Sequence, residues 1–227
     1  MTSVNRSVLL LPLAVGLAAC GGQPSAHRDA PSPATPGAQG EAAAIARAQA
    51  DSIRNPYTAA DVHFMQGMIG HHSQAIAMAS WAPTHGANPS VRTLAERIIN
   101  AQQDEIATMQ TWLADRHQTV PEARATPMKM VMNGKEQVML MPGMLTEEQM
   151  HQLDLAKGPD FDRLFLTSMI QHHRGAVSMV KDLFGTYGAV QDELIFKFAS
   201  DVNVDQTTEI ARMERMLNSY SPGKGAQ

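Results

Sequence analysis

Residues 61–78 read DVHFMQGMIGHHSQAIAM, and residues 162–179 read DRLFLTSMIQHHRGAVSM. The two stretches carry Asp, Phe, Met-Ile, His-His, Ala and Met at matching positions, with a constant offset of 101 residues. A second block, Gln-x-x-Glu-Ile-x-x-Met, occurs at 102–109 and again at 206–213, with an offset of 104 residues. Since internal self-similarity identifies a repeated structural unit, the chain contains two copies of a two-block unit.

Both blocks have the spacing of helices. In the first block, side chains separated by four and three residues are apolar or histidine, the period of one helix face: Phe64, Met68, His71, Ala75 and Met78. Thr58 and Asp61 form a capping-box pattern before this block, and Pro83 follows its end. Asn88 and Pro89 are a typical N-cap and first residue for the helix of the second block.

The second copy predicts helices over about 160–184 and about 189–220. With a turn of roughly six to eight residues inside each copy, the two helices of a pair must lie antiparallel. Two such pairs predict an all-α four-helix bundle. We expect a bundle domain over 57–220, divided into repeat 1 (57–117), a Met-rich connection (118–158) and repeat 2 (159–220).

The connection contains the alternating stretch MKMVMNGKEQVMLM at 128–141, which is centred on Asn133-Gly134 and predicts a β-hairpin. In either likely register its methionines share one face. They either pack the hairpin onto the bundle or offer thioethers to a soft cation. The candidate secondary ligands are Met128, Met130, Met132, Met139, Met141 and, after Pro142-Gly143, Met144.

The first twenty residues resemble an export signal, with Arg6 before an apolar stretch and small residues before Cys20. This pattern predicts a lipoprotein-type signal over 1–20 and a lipid anchor at Cys20, so that the membrane is one expected partner. Residues 21–56 are rich in Pro, Ala, Gly, Ser and Gln, which predicts a disordered tether. The expected location is therefore extracytoplasmic, facing the periplasm or the cell exterior.

Composition excludes several classes of protein. The net charge of −4 and the lack of a Lys/Arg run argue against a nucleic-acid partner. The single cysteine cannot form an internal disulfide, and no nucleophile elbow, Gly-rich phosphate loop or His-Glu-x-x-His motif indicates hydrolase or transferase chemistry. Sixteen methionines and nine histidines are the unusual feature.

Polar side chains on the apolar helix faces indicate metal chemistry. Burial of imidazole, carboxamide and carboxylate groups costs several kcal/mol unless they are paired or bound to an ion. Imidazole is the commonest side-chain metal ligand, and thioethers suit Cu(I). Candidate ligands therefore include the duplicated histidine pairs and the residues of the second block: His71, His72, His172, His173, Glu105, Glu209, Met109 and Met213.

Helical spacing limits which candidates can share an ion. Met68 lies three and four residues before His71 and His72, on the same face. Met78 lies seven residues beyond His71, a rise of roughly 10.5 Å, and belongs to another ion or only to the core. Counting across the turn predicts Gln102 near His71, and Glu105 at the level of Met68 and its neighbour Met65.

Two alternatives remain open at this point. A carboxylate-bridged di-metal oxidase could use the four histidines together with four carboxylates, those of Asp61, Asp162, Glu105 and Glu209. Neither repeat, however, contains the Glu-x-x-His motif typical of such enzymes. Alternatively, a metal-free envelope interaction protein could use its histidines for core hydrogen bonds. His63, which is Leu164 in repeat 2, is predicted at the rim, and His85 and His117 are predicted to be solvated.

The motifs also resemble those of the bacterial "domain of unknown function 305" family, whose members include periplasmic copper-binding proteins. The resemblance covers about 57–217 and lies in the two Met-Ile-x-His-His-x-x-Ala-x-x-Met stretches, the two Gln-x-x-Glu-Ile-x-x-Met blocks and Pro142-Gly143-Met144. It implies a ferritin-like bundle and non-enzymatic copper binding for handling or resisting excess copper. The ligands that it implies are His71, His72, His172, His173, Met68, Met169, Met78 and Met179.

Overall fold

Within the described parts of residues 57–220, five helices and one β-hairpin are present. The computed structural model describes residues 57–124, 128–132 and 135–220, with isolated positions at 40, 43 and 46. The elements are α1 (Ala59–Ser80), α2 (Pro89–Asp115), β1 (Met128–Met132), β2 (Lys135–Met139), α3 (Glu147–Leu155), α4 (Gly158–Gly185) and α5 (Glu193–Ser219). The predicted signal and Cys20 lie outside the described residues, and so does the predicted tether except at positions 40, 43 and 46, which are helical and exposed.

Local capping sets where the long helices begin. The Thr58 hydroxyl accepts a bond from Asp61 N, and the Asp61 carboxylate accepts one from Thr58 N at 2.7 Å, so the predicted capping box is confirmed. Asn88 caps α2 with Pro89 in its first turn, also as predicted. The last helix begins later than the pattern predicts, because the Asp192 carboxylate accepts the free N–H groups of its first turn.

The four long helices form two antiparallel pairs, α1 with α2 and α4 with α5, and the pairs meet through α1 and α4. Their turns, 81–88 and 186–192, are short enough to impose this arrangement. The all-α four-helix bundle built from two repeated helix pairs is confirmed. None of the described helices has the length and apolar character of a membrane span.

Each pair is joined to the other by a buried aspartate at the same repeat position. Asp61 Oδ1 accepts a hydrogen bond from Val190 N at 2.9 Å, in the turn before α5. Asp162 Oδ1 accepts one from Asn88 N at 3.1 Å, in the turn before α2. These reciprocal contacts relate the two repeats by a pseudo-twofold arrangement, which explains why both aspartates occur twice at an offset of 101 residues.

The predicted hairpin is present, with an antiparallel backbone register that runs from Met128↔Met139 to Met132↔Lys135. As predicted, even-numbered positions of β1 pair with odd-numbered positions of β2. The turn residues 133–134 and the side chains of both strands lie outside the described part of the chain, so that Met141 is the one described member of the methionine face predicted for this hairpin.

After the hairpin, residues 141–145 cross the surface formed by α1 and α4 and form the crossing segment. The Gln74 carboxamide accepts from Leu145 N at 2.7 Å and donates to Leu145 O at 2.9 Å. Beside it, Gly143 packs directly against Gly175 of α4, with no space for a side chain at either position. This crossing holds the Pro142 carbonyl over the centre of the bundle.

We expect Gly175→Ala to destabilise the protein by about 1–3 kcal/mol. A Cβ on Gly175 would lie 1.9 Å from Pro142 O, a backbone atom that moves only with the crossing segment. Urea unfolding monitored by circular dichroism measures the loss. Gly185→Ala is the control, because a Cβ there meets nothing within 4 Å. Equal stability of the two variants would contradict the proposed close packing.

Candidate metal centre

A layer of polar side chains crosses the middle of the bundle between two apolar clusters. One cluster contains Phe64, Met68 and Met109, and the other contains Met78 and Met169. Each long helix passes from one cluster to the other, and each contributes polar residues where it crosses the boundary. The layer contains two residues from every long helix: His71, His72, Gln102, Glu105, His172, His173, Gln206 and Glu209.

The four predicted histidines are brought together in this layer and are fully buried. His71 and His172, which are equivalent in the repeat, have ring centroids 3.8 Å apart across the α1–α4 contact. His72 lies 6.3 Å from His71, and His173 lies 6.2 Å from His172, on the outer side of each helix. Because α1 and α4 cross at this level, the pseudo-twofold arrangement places all four rings in one continuous row.

Each outer histidine contacts the glutamate of its own helix pair. His173 Nε2 donates to Glu209 Oε2 at 2.7 Å. His72 Nε2 lies at the same 2.7 Å from Glu105 Oε2, although the angle is not that of a hydrogen bond. The prediction that Glu105 lies deeper, near Met65 and Met68, agrees with the cleft that Glu105 and Met65 both line, but it missed the contact of Glu105 with His72.

The inner histidines have defined tautomers. His71 Nε2 lies 3.0 Å from Pro142 O, and His172 Nε2 lies 3.0 Å from His71 O. A carbonyl oxygen can only accept, so Nε2 carries the proton in both rings and Nδ1 carries the lone pair. Such a hydrogen bond orients an imidazole so that its other nitrogen can bind a metal.

Burial keeps the two inner histidines neutral. Desolvation, assisted by the neighbouring histidines, lowers the pKa of His71 to about 3. Desolvation, followed by the unfavourable interaction of a second proton with His71, His173 and His72, also lowers the pKa of His172 well below its usual value. Both lone pairs are therefore available at neutral pH, since protons do not compete for them.

Several buried polar atoms of the layer have no hydrogen-bond partner among the described residues. All four histidine Nδ1 atoms belong to this set, together with Gln102 Oε1, Gln102 Nε2 and Gln206 Oε1. Leaving one such group unpaired costs about 1–3 kcal/mol. The repetition of this cost in both halves indicates that a ligand, rather than the protein, satisfies these nitrogen and oxygen atoms. A soft or borderline cation fits this donor set.

An acidic cleft between α2 and α5 leads from the surface to this layer. Its inner part, about 230 Å³, is lined by both glutamates and both glutamines of the layer and by Asp205. Burial, together with the carboxylates of Glu105, Asp201 and Glu209, raises the pKa of Asp205. The negative charge of this cleft would attract a cation toward the histidines. Asp205 was missed in the sequence because it belongs to neither repeated block.

The predicted methionine ligands whose side chains are described differ in their burial and in their distance from the polar layer. Four of them flank the polar layer in the apolar clusters and are fully buried: Met68, Met109, Met169 and Met213. Met78 is also fully buried, but it lies seven residues from His71 and packs in the core. Its repeat partner Met179 is only partly buried. Met144 is buried near the crossing segment, whereas Met141 is half-buried at its start.

Among the described residues, no group of three or more His, Cys, Asp and Glu side chains is clustered as a metal site. Asp61 and Asp162 lie far from the polar layer. Both accept backbone N–H bonds at the ends of the bundle, about 15 Å along their helices from His71 and His172. The four-carboxylate oxidase site considered in the sequence therefore lacks two of its ligands.

His85 corrects another expectation. It is 6% exposed, and not solvated as the turn position suggested. Its Nδ1 lies 3.0 Å from the Thr84 hydroxyl, and its Nε2 lies 2.8 Å from the carbonyl oxygen of Asp154 at the end of α3. Both ring nitrogens are thus engaged, which makes His85 a structural histidine and a contrast to the four rings of the layer.

Two proteins of solved structure are similar to this chain in sequence and fold. A fragment from Deinococcus radiodurans is 28% identical and aligns with a TM-score of 0.59, covering 72% of this chain and 99% of the fragment. CopM in its Cu(I)-bound form is 27% identical with a TM-score of 0.53, covering 70% of this chain and 96% of CopM. CopM has also been solved in Cu(II)-bound and silver-bound forms.

Among curated sequences, the uncharacterized protein L153 of Acanthamoeba polyphaga mimivirus is 38% identical over 65 residues. That match spans 29% of this chain and 43% of the viral protein. The family described as Domain of unknown function (DUF305) matches residues 61–217, which include both helix pairs and the connection. The chain therefore belongs to the DUF305 family.

Proposed function

We propose that this protein binds copper as Cu(I), without turnover, at the polar layer of the bundle. The ligands are the Nδ1 atoms of His71, His72, His172 and His173, with thioethers from the methionines that flank the layer. The single observation that carries the proposal is that all four Nδ1 atoms are buried and have no partner among the described residues.

The donor chemistry favours Cu(I) over harder ions. Neutral imidazole and thioether are soft or borderline donors, whereas Mg²⁺ and Ca²⁺ require several oxygen ligands. Met68 and Met169 lie on opposite sides of the layer, each three residues before an inner histidine. In this proposal Glu105 and Glu209 orient the outer rings, and the acidic cleft admits the ion. The copper- and silver-bound forms of CopM support the same choice of metal.

The proposal extends to a cellular role. The signal-like segment over 1–20 and the small residues before Cys20 support export and lipid anchoring, with the tether over 21–56 carrying the bundle away from a membrane. An extracytoplasmic bundle that sequesters Cu(I), and also Ag(I), would contribute to metal tolerance. Metal and membrane are the partners in this proposal, and nucleic acid is not.

A competitive metal titration of the full chain tests the proposal. Under anaerobic conditions, we expect tight uptake of Cu(I) in competition with a chromogenic chelator, and weak uptake of Zn(II) and Fe(II). Tight Fe(II) uptake followed by oxygen consumption would instead indicate an oxidase. A chain that takes up no metal would indicate that the polar layer has a structural role only. Either result would overturn the proposed function.

A further inference from the structure

A second group of soft donors borders a cavity at one end of the α1–α4 contact. The cavity has a volume of about 280 Å³, and His63 of α1, Met179 of α4 and Met141 at the start of the crossing segment line it. The apolar side chains of Phe64 and Leu183 form part of its wall, and Asp182 adds a carboxylate. One imidazole and two thioethers thus come from three separate segments.

The histidine and the helical methionine of this cavity lie far from the polar layer, although Pro142 lines the cavity and its carbonyl accepts from His71 of the layer. His63 lies eight residues before His71, a rise of about 12 Å along α1. Met179 lies seven residues after His172, a rise of about 10.5 Å along α4. Because the two helices run antiparallel, both side chains lie toward the same end, and an ion bound there would be distinct from one held by the four buried rings.

The two repeats differ at these positions. Met78, the repeat partner of Met179, is fully buried in a cluster that includes Leu145 and Leu153 of the connection. Leu145 and Leu153 thus cover Met78, whereas Met179 is only partly buried at the cavity, where Met141 is the nearest part of the connection that offers a thioether. Likewise, repeat 2 has Leu164 packed against the core where repeat 1 has an exposed histidine, His63.

The donors are free to close on an ion. Within the described part of the chain, His63 makes no hydrogen bond or ion pair. Methionine has three rotatable side-chain bonds, so the Met141 and Met179 thioethers can adjust to a small cation. Asp182, an exposed residue that also lines the cavity, adds a negative charge beside these donors.

We propose that His63, Met141 and Met179 form a second, solvent-accessible site for a soft monovalent cation, Cu(I) or Ag(I). The proposal goes beyond the buried layer and does not require the layer to be loaded. An ion can reach this site from solvent without entering the bundle, so the site fills and empties faster than the layer.

The test compares Cu(I) and Ag(I) stoichiometry of the full chain with that of His63→Leu combined with Met179→Leu. Leucine occupies the His63 position in repeat 2, and Met→Leu conserves volume, so the fold is expected to remain. We expect the variant to lose one ion per chain. The matched control, His151→Leu with Met216→Leu, removes a histidine and a methionine that do not line the cavity and should keep the wild-type stoichiometry.

A second background separates this proposal from the proposed function. In a chain with His71→Ala and His172→Ala, the cavity should still bind one Ag(I), and adding His63→Leu should remove it. If the His63 and Met179 changes leave stoichiometry and affinity unaltered in both backgrounds, the second site does not exist. If the His71 and His172 changes leave Cu(I) binding unaltered while the His63 and Met179 changes remove one ion, only the function proposed for the layer is overturned.

Discussion

Replacing His71 and His172 together by alanine is expected to abolish tight Cu(I) binding at the polar layer. These rings lie 3.8 Å apart, and each presents a free Nδ1 whose tautomer is set by a backbone carbonyl. Loss of an outer-shell partner of a metal typically costs 10–100-fold in affinity, and loss of two direct ligands should exceed that. Competition with a Cu(I) chelator measures the change, while circular dichroism shows whether the helices remain.

His85→Ala is the matched control for that experiment. His85 is also a buried histidine, but Thr84 and Asp154 engage both of its ring nitrogens. Its loss should reduce stability and leave layer binding unchanged. Unchanged Cu(I) affinity in the His71 and His172 variant would contradict the proposed ligand set and indicate that methionines bind the ion instead. Equal loss of binding in both variants would indicate an indirect effect of destabilisation.

Acidification of the metal-free protein is expected to lower its stability steeply below pH 6.5. The folded pKa of His71 is about 3, whereas the unfolded chain has the ordinary value of 6.5. Between these values the unfolded state binds the proton and the folded state does not, so stability falls as pH falls. Each such histidine contributes about 1.4 kcal/mol per pH unit, and His172 shifts in the same direction.

Urea midpoints at pH 7, 6.5, 6 and 5.5 measure this slope above the range in which ordinary carboxylates titrate. The variant with His71→Ala and His172→Ala should have a flatter profile, because the two depressed groups are absent. Prior loading with Ag(I) should also flatten it, since a ligand that binds only the folded state stabilises it. A wild-type profile that is level from pH 7 to pH 5.5 would contradict the burial of neutral rings.

Much of the candidate site could be predicted from the sequence because the repeat supplied an internal comparison. Because His-His and Gln-x-x-Glu recur at equivalent positions of the two repeats, these residues could be distinguished as candidate ligands from histidines that occur in one repeat only. The contact of Glu105 with His72 was missed because the local pattern carries no information about how one helix is placed along another. His85 was misjudged for a similar reason, since its partner Asp154 is 69 residues away.

By itself, the sequence determined the number of long helices, the caps of α1 and α2, the hairpin and the residues that face inward, because these depend on neighbours within a few positions. Only the tertiary structure decided that His71 meets His172 and that His63 shares a cavity with Met179. It also decided that the carbonyls of Pro142 and His71 accept from Nε2 of His71 and His172, which leaves the lone pair of each ring on Nδ1. Helical periodicity specifies a face and a height on one helix. Contacts between helices depend on crossing geometry and on the path of the connection, which form only when the apolar faces pack.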